Sequence, residues 1–566
     1  MTPRRRSKQP LDSAALMTMA VLSVVIAAML LLGSQTLPRV RTFSWQDKPV
    51  AAEDIAFLLT FTRPMDPQSV MENLVIEPEL PGKVSWAGRR MAYTLNRPAP
   101  YGQSFEISLP TAQSLIGQEG FEPFEESFAT RDRVFAYIGA EGEEQGRLVM
   151  FNLTQKEKTL LTPEGQIVLD FQPYPARDRI LFSAISEKDS ANRVSSAQLY
   201  TVSTGLLGSS VTPPKWKLWQ QASEPVAGTT TLILDNERYQ NLKFDLSADG
   251  TTIVVQRVNQ TMPSDFGPWV LKEGEAPRKL ETEPGGDFTI APDSVSLLLQ
   301  QGEGTAVLSL EPNLTAAESD ELLDFLPDYG LTLDIASDGR SAALVNFNQD
   351  DPEKRFTQSL FWVSNSGEEK PLLETDGAIL SAQFNDSNDL LYCLVNRLVK
   401  SDFDQPTDSE DDAQGDELEP SLEASLQASE VPAEPDFPED ALIEVQTTEE
   451  ALIEDGKLGE EDVFQFTPYL TVVNVETGEE TKLLEMPPQP EINVSLSPDG
   501  LAILFDEVLV SDAQAASSSG DYEGPTHRLW LLPLFSAQSE QAASAEPVAL
   551  PPTALEIAGQ RPAWLP

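Results

Sequence analysis

One strand-turn-strand pattern recurs along most of this chain and limits what it can fold into. Seven segments align at a polar turn followed by an apolar run: ATRDRVFAYI, PARDRILFSA, SADGTTIVVQ, APDSVSLLLQ, ASDGRSAALV, NDSNDLLYCL and SPDGLAILFD. The turn Asp or its equivalent falls at Asp132, Asp178, Asp249, Asp293, Asp338, Asn388 and Asp499. The steps are 46, 71, 44, 45, 50 and 111 residues. Asp accepts bonds from its own backbone and Gly tolerates positive φ, so each turn is locally encoded. The apolar run after each turn reads as a strand buried on both faces.

A second signature follows several copies, as in RLVMFNLTQKEKTLLT, QLYTVSTG, SLFWVSNSGEEKPLLET and YLTVVNVETGEETKLLEM, and reads as an outer hairpin. Apart from the two long steps, the period of about 45–50 residues matches one four-stranded propeller blade. The long steps contain the region VSTGLLGSSVTPPKWK and an acidic tract. The closing GQRPAWLP reads as an inner strand with no turn after it, and ATRDRVFAYI as a turn lacking an inner strand. Joining them completes one blade and removes free sheet edges. This pairing predicts seven blades over residues 131–566, or six if the Asp293 or Asn388 copy is not a blade. The repeats resemble those of TolB-like and WD40-like propellers. Ser497-Pro498-Asp499-Gly500 is the cleanest match, Asp249-Gly250 and Asp338-Gly339 are good, and the Asp178 and Asn388 copies lack the Gly.

Residues 53–130 alternate in short strands, IAFLLTFT, ENLVIEP, GKVSWAG, RMAYTLN and SFEISLP, without a sustained helical period. About eighty such residues fit a small β-sandwich. The segment FTRPMDPQSVMENLVIEP resembles the entry of bacterial Ig-like envelope domains, with Phe61, Pro64, Met65, Asp66, Ser69, Val70, Trp86 and Tyr101 in the family's positions. The resemblance implies a spacer or adhesive module. Pro64-Met65-Asp66 itself reads as a turn.

Ala14–Leu32 holds nineteen residues without a charge. At about 1.5 Å per residue they reach roughly 28 Å, close to a bilayer's hydrocarbon thickness. Arg4, Arg5, Arg6 and Lys8 precede them, which predicts a cytoplasmic N-terminus. The expected organisation is a basic tail (1–13), an uncleaved transmembrane signal anchor (14–37), a linker (38–52) with Trp45 at the membrane interface, the sandwich (53–130) and the propeller (131–566). The fold class is therefore all-β, an Ig-like sandwich plus a propeller, with one transmembrane helix. The large acidic part would lie outside the cytoplasm, in a periplasm or equivalent lumen.

Charge and rare residues exclude several functions. Ninety acidic residues against 39 basic ones give a net charge of −51, which disfavours nucleic acid as a partner. Ser401–Asp462 carries 23 acids and one Lys, with many Pro and Ser, so it reads as a disordered insertion inside one blade. Within it EDALIE and EEALIE repeat ten residues apart; Leu442, Ile443, Leu452 and Ile453 could form an apolar stripe that folds against a basic partner.

A single Cys (Cys393) excludes an intramolecular disulfide, and a single His (His527) removes most metal and triad constellations. Cys393 reads as a small buried hydrophobe and His527 as an ordinary strand-end residue. No G-x-S-x-G, Walker A or dinucleotide fingerprint is present. The expectation is a non-enzymatic, membrane-tethered extracytoplasmic protein that binds another protein, with no cofactor, metal or catalytic residue. Two alternatives stand beside it. One is a carboxylate-dependent hydrolase or lyase in the propeller channel. The other is binding of divalent cations or cationic ligands by the acidic loop.

Overall fold

The computed structural model describes residues 10–33, 37–115, 120–188, 196–206, 226–302, 304–311, 326–327, 330–349, 354, 357–400, 464–489, 491–509, 526–534 and 547–566. The chain divides into two compact units, one of residues 1–278 with 493–566 and one of residues 279–492. Apart from a helix at Pro10–Gly33, a seven-residue helix and short 3-10 turns, the regular elements among the described residues are strands. Among the described residues no helix is long and apolar enough to cross a membrane.

In the first unit, residues 40–130 form two facing four-stranded sheets. One orders Val40–Phe43, Ala56–Phe61, Arg90–Leu95 and Gly82–Ala87; the other orders Pro49–Val50, Phe124–Thr130, Ser104–Leu109 and Val75–Glu77. Alternating inward residues build one core, including Phe43, Trp45, Phe57, Leu59, Phe61, Met91, Phe105, Ile107 and Phe128.

The stretch expected to be a linker is therefore part of the sandwich. Pro49–Val50 pairs in parallel with Ala129–Thr130, and Trp45 is 2 % exposed, packed edge-on against Phe57 and Phe128. Burying this aromatic outweighs the interfacial preference that single-residue reasoning assigns to Trp. Pro64-Met65-Asp66 is also more than a turn. Asp66 accepts from Ser69 N and caps a helix at Pro67–Asn73, with Pro at its first position. At seven residues that helix is too short to show a period.

Three further sheets complete this unit. Gln166–Pro173, Arg179–Ser186, Gln198–Ser203 and Thr230–Leu234 form one antiparallel meander, and Tyr239–Leu246, Thr252–Asn259 and Phe266–Lys272 begin another. The third has seven strands, centred on Thr553–Trp564. The first half of that strand pairs with Thr526–Pro533, and Gly559–Trp564 pairs with Val134–Gly139. The C-terminal strand thus supplies an inner strand to the first repeat, as the sequence pairing predicts. Phe135, Tyr137, Val149, Leu504, Leu529, Ile557 and Trp564 share its core.

The second unit contains three antiparallel meanders: Phe288–Ile290, Ser296–Gln301 and Gly304–Ser309; then Leu331–Ile335, Ser341–Asn346, Gln358–Ser364 and Glu369–Thr375; then Ala378–Phe384, Leu390–Lys400, Phe464–Asn474 and Glu480–Glu485. The copies at Asp293 and Asn388, whose status decides the blade count, each belong to a sheet of this kind. The strand after each turn is the most buried, as in SAALVN, where Ser341–Val345 are all buried.

Candidate functional site

The six recurring turns share one backbone geometry. Gly250, Ser294, Gly339, Asn388, Gly500 and Arg177 all have φ between 59° and 72°. Each donates its N–H to the carbonyl three residues back, as Gly250 does to Ser247 and Arg177 to Tyr174. Asp249, Asp293, Asp338 and Asp499 precede the positive-φ residue and accept from the backbone two residues on. In the other two copies the sequence alignment is displaced: Asn388 is itself the positive-φ residue, and Asp178 follows Arg177. The turn geometry is kept without Gly, at the backbone cost that a non-Gly residue bears there. Asp132 lies in no such turn, because the inner strand before it comes from the far end of the chain.

Five residues before the turn residue, a side chain reaches the amide of a distant strand, in another sheet for Gln172 and Asp334 and in the same seven-stranded sheet for Ser495. Gln172 Oε1 accepts from Leu246 N at 3.0 Å, Asp334 Oδ2 from Phe384 N at 2.8 Å, and Ser495 Oγ from Trp564 N at 3.2 Å. Burial pushes the Asp334 carboxyl up to about 6, against the lowering effect of the Phe384 and Ile335 amides. Three residue types perform this role, so no residue-level motif advertises it.

A polar cluster lies where the last strand meets the first repeat. Arg561 has φ of 53°, at a bulge between Gln560 and Ala563. Its N–H donates to Asp506 Oδ2 at 2.8 Å, and its guanidinium to Asp170 Oδ1 at 3.1 Å. Asp506 is 3 % exposed and also accepts from the backbone and side-chain nitrogens of Asn493. Its carboxylate is thus fully engaged in holding the bulge, while the half-exposed Asp170–Arg561 pair presents both charges at the inner-strand edge. Strained non-glycine backbone of this kind concentrates at functional sites. The groups of this cluster are bonded to one another across the closing strand.

A second junction fastens the sandwich to the same sheet. Asp499 Oδ2 accepts from Tyr101 N at 2.9 Å and from Arg133 at 3.4 Å, with the Asp499 side chain 1 % exposed. Tyr101 Oη accepts from Ala52 N, and Arg131 donates to the Pro566 main-chain oxygen. Gly102, at φ of 74°, lets the chain approach Thr154; a Cβ there would stand 2.6 Å from its Oγ1. Arg131 and Arg177 are each 7 % exposed. Burial, and then the charge of Arg131, lower the Arg177 guanidinium from its usual range.

The residues singled out from sequence do not converge on a site. Phe61, Met65 and Val70 are core, and Trp86 stacks on Phe61. Cys393 is buried at the centre of a sheet, which pushes its thiol up, as a small hydrophobe would be. His527 is half-buried on a strand opposite Val508. No group of three or more potential metal ligands occurs among the described residues. The acidic tract, with Leu442, Ile443, Leu452 and Ile453, lies outside the described residues. The described strands on either side of it in sequence, Leu390–Lys400 and Phe464–Asn474, pair over their full length from Leu390↔Asn474 to Lys400↔Phe464.

No protein-family model matches this sequence, and no curated protein is similar to it. Solved structures superpose with low scores. TolB from Acinetobacter baumannii is 9% identical at a TM-score of 0.34, covering 87% of this chain and 83% of that one. An oligogalacturonate lyase from Vibrio parahaemolyticus is 11% identical at 0.35, covering 64% and 79%. A prolyl endopeptidase is 11% identical at 0.32, covering 93% of this chain and 60% of its own.

Proposed function

We propose that this protein is a membrane-tethered, extracytoplasmic, non-enzymatic scaffold that binds another protein. In this reading the uncharged sequence run Ala14–Leu32 with the basic residues before it is the tether, the sandwich is an Ig-like module, and the repeat sheets are seven blades of a TolB-like propeller. The seven-blade count assigns one blade to each of the five separate repeat sheets and two to the seven-stranded sheet, which share its central strand. The sandwich acts as a fixed collar on the closing sheet, through Asp499, rather than as a free spacer.

The observation that carries the reading is the hairpin that presents the acidic tract. Eleven residues on each side stay paired up to Lys400↔Phe464, so an insertion of charge −22 is accommodated at the hairpin end while the sheet remains intact. A concentrated single-sign charge on such a mount attracts a basic partner and speeds encounter at low ionic strength. The support for a binding rather than catalytic role is the engagement of Asp506, Asp334 and Asp499 in backbone hydrogen bonds.

The test compares the full-length protein with a variant lacking residues 401–462, both extracted from membranes and used as bait. A stoichiometric basic partner, retained by the full chain at low salt and lost on deletion or at high salt, supports the reading. Release of the protein from membranes by alkaline carbonate removes the tether. Substrate turnover that single carboxylate changes abolish replaces the scaffold with the hydrolase or lyase alternative.

A further inference from the structure

The second repeat sheet carries a cleft that the scaffold reading does not use. It has a volume of about 380 Å³, within the range of small-molecule sites, and lies where Gln166–Pro173, Arg179–Ser186 and Gln198–Ser203 meet the loop after Thr230–Leu234. Its wall is a chain of neutral polar groups. Gln198 Nε2 donates to Asn236 Oδ1 at 2.9 Å, and the Tyr200 hydroxyl donates to Gln198 Oε1. The Tyr200 ring is held by stacking on Phe182 at 5.4 Å and 20°. Gln166 Oε1 and Thr230 Oγ1, in the same wall, are buried without a hydrogen-bond partner.

This chemistry selects a class of ligand. Side-chain amides offer a donor and an acceptor side by side, which matches the paired hydroxyls of a sugar. Ligand hydroxyls in the cleft are able to exchange hydrogen bonds with the Gln198, Tyr200 and Asn236 groups that line it. Among the described residues the one charged residue lining the cleft is Glu164, which disfavours anionic ligands. The described wall offers no cation to recruit phosphate or carboxylate and too little apolar surface to hold a lipid chain. We infer that this cleft, defined by Gln166, Gln198, Tyr200, Thr230 and Asn236, is a binding site for a neutral saccharide of about two sugar units.

The test uses the full-length protein in a detergent without a sugar headgroup, titrated with maltose, cellobiose and diacetylchitobiose. Binding is read by saturation-transfer NMR and calorimetry. Saturable binding of at least one disaccharide is expected, weakened about tenfold or more by Gln198→Ala and severalfold by Tyr200→Phe. Tyr200→Phe keeps the stacked ring, so a loss in that variant at an unchanged melting temperature reports the hydroxyl and not the fold. Failure of all three sugars to bind, equal binding by both variants, or preference for a digalacturonate probe overturns the inference.

Discussion

The amide of Tyr101 donates a 2.9 Å hydrogen bond to Asp499 Oδ2, joining residues 398 positions apart in the chain. Asp499 belongs to the last of the repeated turns, and its other oxygen performs the ordinary turn role by accepting from Ser497 Oγ and Leu501 N. One carboxylate therefore shapes a turn and fixes the sandwich to it. Asp338 occupies the same turn position, is exposed, and accepts from Arg340 N.

Asp499→Ala is expected to cost about 2–4 kcal/mol, because it strands a buried amide and leaves Arg133 without this partner. Asp338→Ala should cost about 1 kcal/mol or less. Hydrogen exchange at the Tyr101 amide should accelerate only in the Asp499 variant. Equal melting temperatures for the two variants would mean that the junction contributes nothing.

The closing strand should be as critical as a core strand. Trp564 packs edge-on against Phe135 at 5.6 Å, and Trp564→Ala should destabilise by about 3–5 kcal/mol. Gly559 admits no side chain, since a Cβ would come within 2.5 Å of Tyr137 Cδ2. Gly559→Val should therefore expose the strands on both sides to protease, read by limited proteolysis at a temperature where wild type resists.

Asp334 should impose a pH dependence opposite in sign to that of an ion-paired carboxylate. Its native pKa, about 6, lies above the unfolded value near 3.8. Above pH 6 the native carboxylate is charged, and its lost hydration opposes folding. As pH falls from 6 to about 4, the native state binds the proton first and this opposition is relieved, by up to ~3 kcal/mol. The stability of wild type relative to Asp334→Asn should thus rise between pH 7 and pH 4.5, measured by urea unfolding. A constant difference would place the carboxyl in a solvated environment.

The positive-φ turns predict opposite effects for two substitutions. Gly500→Ala, at φ of 68°, should cost about 1 kcal/mol. Asn388→Gly, at φ of 59°, should stabilise by about 0.5–1 kcal/mol, because Gly relieves the backbone and removes a buried, unpartnered Oδ1. Thermal unfolding of both variants checks the signs.

Much of the repeat architecture was legible in the chain. Asp-Gly turns and the buried runs after them are local consequences of backbone conformation and alternation, so 247–259, 336–346 and 497–509 could be read without tertiary information. The pairing of GQRPAWLP with the first repeat was also readable, since a lone inner strand and a missing one imply each other.

Tertiary structure decided what those patterns leave open. Trp45 and Pro49–Val50 resemble linker residues until the sandwich core and the Phe124–Thr130 strand are present to bury and pair with them. Arg177 and Asn388 adopt a glycine's conformation because the flanking strands over-determine the turn. Asp499, Asp334 and Gln172 look alike as polar residues near turns, yet each owes its role to an amide supplied by another sheet or the sandwich. Hydrogen bonds and burial between distant segments depend on which surfaces meet, and no local propensity encodes that meeting.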